Sequence, residues 1–235
     1  FGTAQLNYEV NDNLTLTYRY GMDWYNEHNR AYSNKNGVNF SQAVYGYLDT
    51  WDNNVSVNTH YVGINGSFEL SDEVGLNFIV GAESTNRSYD RDGVGSNGQI
   101  VFGVLQHFNF ENQTPISYHA SKNTVGVFAS ADLDYNDYLF VTLSARNDWV
   151  SNLPTENNNM FYPSASVAFL PTASNPDMKS DNLSYLKVRA GYGTSAGFPS
   201  GYPTVNSVGQ FTNQNGGLNG GITTNTVSDF QANPD

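Results

Sequence analysis

The stretch LTLTYRYGMDWY, Leu14 to Tyr25, alternates without a break. Leu14, Leu16, Tyr18, Tyr20, Met22 and Trp24 share one face of an extended chain, and Thr15, Thr17, Arg19, Gly21 and Asp23 share the other. Strands usually run to about 5 or 6 residues, so this one is long and its apolar face ends in aromatics. The pattern recurs. Ala4, Leu6, Tyr8 and Val10 precede it across Asn11 to Asn13, which predicts a hairpin. A second hairpin begins at Val55 and crosses Ser71 to Glu73 into Val74, Leu76, Phe78, Val80 and Ala82. Its first strand changes phase at Tyr61-Val62, which predicts a β-bulge. A third carries Val125, Val127, Ala129, Ala131, Leu133 and Tyr135 across Asn136 and Asp137 to Leu139, Val141, Leu143 and Ala145. A looser fourth pair joins Tyr162–Leu170 to Leu186, Val188, Ala190 and Tyr192 through a linker holding Pro171 and Pro176.

The first three pairs turn within two or three residues, whereas Asn26–Asn54, Ser88–Ser121 and Ser151–Phe161 read as long connections. Structureless loops beyond about 12 to 15 residues are uncommon in compact domains. Outer-membrane β-barrels are the architecture that expects them, with short periplasmic turns, long extracellular loops, an apolar outer band and aromatic girdles. Lipid leaves no backbone unpaired, so such a sheet closes on itself. On this reading the Leu14 face meets lipid, and Tyr20, Trp24 and Tyr25 sit near the outer headgroups. Thr15, Arg19 and Asp23 look into a wet lumen. A soluble secreted β-sandwich, such as a glycan-binding module, shows the same period, so alternation alone leaves it open.

Composition agrees with an all-β chain. The 235 residues include 22 Gly, 16 Tyr and 14 Phe, with no cysteine and no apolar run of helical-span length. A net charge of −12 with only 10 Lys+Arg speaks against a nucleic-acid surface, which needs basic clusters. Phe1-Gly2-Thr3 opens inside a pattern, without an initiator Met or signal peptide.

Several short motifs invite catalytic or ligand readings. GTSAG (Gly193 to Gly197) fits the nucleophile elbow and follows a strand, but Pro199 and Pro203 oppose the helix that the motif needs and no histidine lies downstream. GVGSNG (Gly93 to Gly98) fits a dinucleotide pattern without its helix or distal acid, and is expected to be a flexible loop tip. DRDG (Asp90 to Gly93) resembles half a calcium loop, with a solvated turn as the expectation. His28, His60, His107 and His119 lack i, i+4 partners, so a zinc site has little support. NQNGGLNGG (Asn213 to Gly221) reads as a mobile loop. No catalytic, metal or cofactor site is assigned.

Three collinear stretches resemble one family. YLFVTLSARNDWVSNLPTENNNMFYPSASVAFLP (Tyr138 to Pro171) is similar to the barrel of SusC/RagA-type TonB-dependent receptors: a strand ending Arg-x-Asp, a Ser/Asn-rich loop, then Phe-(Phe/Tyr)-Pro-Ser. Arg146, Asp148, Phe161, Tyr162, Pro163 and Ser164 hold those places, with Trp149 where the family usually has Gly. LKVRAGYGTSAGFPSGYPT (Leu186 to Thr204) resembles the family's Leu-Lys-x-Arg-x-x-Tyr-Gly strand, and NDNLTLTYRYGMDWY the strand ending Gly-x-Asp-(Tyr/Trp).

The resemblance implies a partial barrel domain over residues 1–235, about eight strands of a 22-stranded barrel whose plug and other strands lie outside the chain. A complete eight-stranded barrel is the competing view. It further implies TonB-energised import of a bulky nutrient, an oligosaccharide or peptide, across the outer membrane of a Bacteroidetes-type bacterium. The implied partners are a SusD-like surface lipoprotein, the TonB complex acting through the plug, and outer-membrane lipid. Tyr45, Tyr47, Trp51, Tyr89, Phe102, Phe108 and Phe110 are the expected contacts for cargo or lid, with membrane-rim or loop packing as the alternative role.

Overall fold

A computed structural model describes residues 1–38, 44–195, 197–198, 208–213 and 222–227. Eight strands form one antiparallel sheet in sequence order: β1 (Gly2–Asn11), β2 (Leu14–Ser33), β3 (Tyr47–Ser71), β4 (Val74–Gln99), β5 (Phe110–Tyr135), β6 (Leu139–Val150), β7 (Asn159–Phe169) and β8 (Val188–Gly193). Two further strands, β9 (Val208–Asn213) and β10 (Ile222–Val227), pair only with each other. Because neighbours alternate in direction, the turns at 11–13, 71–73 and 136–137 fall at one end, as expected. Backbone bonds tie that end together: Asn136 N–H donates to Glu73 at 2.8 Å, and Leu170 N–H to Tyr138 at 2.8 Å. The fourth connection of this end is longer, holding helical turns at Pro171–Ser174 and Pro176–Met178.

The register sorts the side chains into two faces. One face carries rows such as Leu16–Ile64–Val80–Ala129–Ala145–Pro163 and Leu14–Gly66–Phe78–Ala131–Leu143–Ala165. The opposite face carries Thr15–Asn65–Ile79–Ser130–Ser144–Ser164 and Asn77–Asp132–Thr142–Ser166. Polar groups of this second face bond one another across strands: Thr142 Oγ1 donates to Asp132 at 2.6 Å, Thr17 Oγ1 to Asn7 at 3.0 Å, and Ser144 and Ser164 share a bond of 2.6 Å. On β4 the apolar positions Val74, Leu76, Phe78, Val80 and Ala82 give way to Ser84, Asn86 and Ser88. At about 3.4 Å per residue the apolar run is roughly 27 Å long, close to the outer band of a membrane barrel. Tyr18, Tyr20, Trp24, Trp149 and Phe161 edge it above. Below, Tyr138 makes edge contacts with Tyr135 and Phe169 at 5.4 and 6.1 Å between ring centroids.

Both alternatives to a large barrel fail on this geometry. A sandwich covers its apolar face with a second sheet, yet Leu6 is 71% and Leu143 52% exposed on a face that no described layer covers. A complete eight-stranded barrel pairs its first and last strands, and β1 and β8 are unpaired with each other. The sheet is the open arc expected of a partial barrel.

Three expectations need correction. The predicted connections 26–54 and 88–121 are mostly strand: β2 to β5 run 20 to 26 residues, leaving connections at 34–46 and 100–109. Above the lipid the outward face has no reason to be apolar, so the alternation fades while the ladder of hydrogen bonds continues. The phase change at Tyr61-Val62 is no bulge, since β3 stays in register there with both neighbours. Val62 and Ile64 face lipid, whereas Val55 and Val57, higher up, face inward, and Val55 is buried. The register shifts lie instead beside the turns, at Glu9/Asn11 and Glu69/Ser71. Tyr25 belongs to the inward face, one residue out of phase with Trp24.

Candidate lumenal site

The upper inward face is built by alternate residues of four strands. Row by row from the membrane level upward these are Asp23–Val57–Arg87–Lys122, Tyr25–Val55–Tyr89–Ala120, Glu27–Asn53–Arg91–Tyr118 and Asn29–Trp51–Gly93–Ile116. Asn53, buried, is the hub. Its Oδ1 accepts from Tyr89 Oη at 2.8 Å and Arg91 Nε at 2.9 Å, while its Nδ2 donates to Glu27 Oε2 at 3.1 Å. The Arg91 guanidinium lies over Trp51 and Tyr89, 5.8 and 5.6 Å from their centroids, and Tyr89 meets Tyr118 edge-on at 5.9 Å. Such contacts fix an arginine without spending its Nη donors. Gly93 makes room for Trp51: a Cβ there would lie 2.6 Å from Trp51 Cβ and run into the Thr50 carbonyl.

Nearer the membrane, Arg146 Nε donates to Asp148 at 2.7 Å and its Nη2 lies 3.5 Å from Glu83. The guanidinium covers Phe128, 5.6 Å from the centroid, and Gly126 leaves space for both Arg146 and Asp148. The Arg-x-Asp motif is therefore an inward ion-pair cluster at the end of β6, and Tyr162 faces Arg146 from β7.

The seven sequence-predicted contact residues separate into groups. Trp51 and Tyr89 belong to the Asn53 cluster. Tyr45 and Tyr47 line a cavity of about 320 Å³ with Asp49, Gly95, Asn97 and Thr114 at the top of the inward face. Phe110 is buried. Phe102 and Phe108 are exposed on the 100–109 connection, which lies against the outward row: His107 Nε2 meets Thr50 Oγ1 and its Nδ1 meets Ser96 Oγ, both at 2.8 Å, and Arg30 donates to Leu105 O. Arg87, Arg91, Lys122, Asn53 and Tyr118 were not singled out from sequence. Carrying the alternation past Ser88 would have placed Tyr89 and Arg91 on one side and Asp90 and Asp92 on the other.

The short motifs also settle. Gly93 to Gly98 and Asp90 to Gly93 lie inside β4, so neither is the expected loop tip or turn. Asp90 bonds His119 and Asp52 bonds His28 on the outward side. No group of three or more metal-type ligands is assembled among the described residues. Gly193 ends β8, Ala196 lies outside the described residues, and so does most of the expected mobile loop, 214–221.

The whole chain, residues 1–235, matches the family model described as TonB dependent receptor-like, beta-barrel. The chain belongs to this family and is a segment of an outer-membrane β-barrel, in a family of receptors rather than enzymes. A comparison with curated proteins gives no match. Among solved structures the chain is similar to "Structure of the RagAB peptide transporter", with TM-score 0.81 and 18% identity over 99% of this chain and 26% of that one. The "closed-closed" and "open-open" states of the RagAB peptide importer give TM-scores of 0.83 and 0.78 at the same identity, covering 99% of this chain and 26% and 25% of theirs. The chain thus spans about a quarter of the length of these proteins. The likeness shows the fold, and it falls on the SusC/RagA-type group that the motifs resemble.

Proposed function

We propose that the chain is one arc of the barrel of a SusC-type transporter that imports a bulky nutrient, an oligosaccharide or a peptide, with energy from TonB. The observation that carries this reading is the division of one continuous sheet. Its outward face is apolar over a membrane-sized band, and its inward face is polar below and lined above by aromatic and charged clusters. A wall of this kind encloses a wet passage. The family match and the fold shared with the RagAB peptide importer support transport, and they support peptides as readily as sugars.

The plug, the TonB contact and the remaining strands are assigned to other parts of the protein. A SusD-like lipoprotein is the proposed cap over the extracellular extensions of β2 to β5, whose rims include Tyr45, Tyr47, Phe102 and Phe108. The contrasting arrangement has these extensions folding over the lumen without a cap. Uptake of labelled peptides and oligosaccharides by cells with and without the intact gene tests transport, and energy dependence is read by removing TonB. Gentle purification from native membranes tests the cap. Uptake that persists without TonB would contradict the mechanism. Repeated isolation without a lipoprotein, with unchanged uptake after removal of residues 100–109, would contradict the cap.

A further inference from the structure

On the extracellular extension of the sheet both faces carry charge, and the basic residues of the inward face gather on β4 and β5. Asp52, Asp90 and Asp92 fall on outward rows, two of them bonded to His28 and His119. The inward rows of the same stretch hold Arg87, Arg91 and Lys122, three of the ten basic residues in a chain of net charge −12. Arg87 and Lys122 are direct cross-strand partners. Like charges placed opposite each other on a sheet destabilise it, so the pair is a local cost to the wall. None of the three takes part in an ion pair among the described residues, although 22 acidic residues are available. Arg91 is bonded through Nε to Asn53 and seated on Trp51 and Tyr89, which leaves its Nη edge to the lumen. Lys122 Nζ sits 5.9 Å from the centroid of Phe198. A cavity of about 160 Å³ opens beside Arg87 and Lys122, lined as well by Tyr89, Tyr118, Ala120, Ser121 and Asn152.

We infer that this cavity is a cargo subsite for an oxyanion carried on the imported molecule, with the tyrosines packing against the adjoining carbon skeleton. The inference rests on the transporter reading above and narrows its cargo to anionic oligomers. An oxyanion between Arg87 and Lys122 removes their repulsion and accepts charge-assisted bonds from both. Tyr89 and the exposed Tyr118 line the cavity beside it, an aromatic wall suited to a sugar ring or a peptide side chain. The acids of the inward face do not fill the place: Glu27 is engaged by Asn53, Glu83 pairs with Arg146, Asp23 is two strands from Arg87, and Asp49 sits opposite Gly95 at the top of the face. A carboxylate on a peptide or uronic acid and a sulfate on a glycan share this chemistry.

The test uses the intact transporter, purified in detergent, and its Arg87→Gln/Lys122→Gln variant. Binding is measured for a glutamate-rich decapeptide, for the same peptide with glutamine throughout and an amidated C-terminus, and for a sulfated oligosaccharide beside its desulfated form. Wild type is expected to favour at least one acidic probe over its neutral partner by on the order of tenfold, the worth of about one charge-assisted bond. The preference should shrink with added salt. The favoured probe assigns carboxylate or sulfate. The variant should lose the preference while melting at the same temperature as wild type or higher, because it relieves a repulsion. Equal binding of acidic and neutral probes by wild type would overturn the site, as would a folded variant that keeps the full preference. Uptake separates the two readings. Selective binding with no import by cells would refute the transporter and leave the site standing, whereas import of neutral and acidic probes alike by both proteins would refute the site alone.

Discussion

Leu143 and Thr142 are adjacent on β6 and face opposite ways, so arginine at each distinguishes lipid from lumen with one residue's displacement. Leu143 is 52% exposed in the row Phe78–Ala131–Leu143–Ala165, four residues above Leu139 and six below Trp149. At about 3.4 Å per residue it stands roughly 14 Å from the lower edge of the band and 20 Å from the upper aromatics, close to midplane. Leu143→Arg should therefore cost about 2–4 kcal/mol. That is a fall of roughly 30- to 1,000-fold in the folded-to-unfolded ratio. Thr142 is bonded to Asp132 at 2.6 Å on the wet face, so an arginine there trades a hydroxyl for a cation beside a carboxylate. Thr142→Arg should change stability by no more than about 0.5 kcal/mol. Reversible denaturant unfolding of the intact transporter in lipid vesicles measures both. Equal losses, or a larger loss at Thr142, would refute the assignment of faces.

Other outcomes follow from single contacts. Gly93→Ala should destabilise the upper sheet by about 1–3 kcal/mol, because the added methyl meets the Thr50 carbonyl and the Trp51 backbone rather than a movable side-chain tip; an unchanged melting temperature would contradict it. His107→Leu should leave the buried Ser96 hydroxyl without its partner and loosen residues 100–109, read as faster proteolytic nicking there at unchanged barrel stability. Arg146→Gln should cost about 1–3 kcal/mol by stranding Asp148, whose side chain is only 14% exposed, and Asp148→Asn in the same chain should restore part of the loss.

The membrane-spanning half was legible because lipid imposes a strict rule, apolar outward and polar inward, on every second residue. Val74 to Ala82 and Leu139 to Ala145 obey it, and their hairpins came out in register. Above the lipid the rule lapses. Ser84, Asn86, Ser88, Asp90 and Asp92 face water outside while Val55, Val57 and Tyr89 pack inside, so continuous strands looked like loops and a change of environment looked like a bulge. The lumenal cluster was hidden for the same reason. Asn53 bonds Glu27 and Arg91, 26 and 38 residues away in sequence. Only the register joins them, and no local motif marks it. The Arg146–Asp148 pair was visible as a motif because both its members sit on one strand.

The central claim, one lipid face and one lumen face on a continuous sheet, is tested most directly along β4. The chain has no cysteine, so single cysteines can be placed from Val74 to Asp92 and labelled in native membranes with a water-soluble and a lipid-soluble thiol reagent. Even positions through Ala82 should react only with the lipid-soluble reagent and odd positions with the water-soluble one, and from Ser84 upward both faces should become accessible from water. Uniform water access along Val74 to Ala82, or a loss of the period of two, would contradict the barrel.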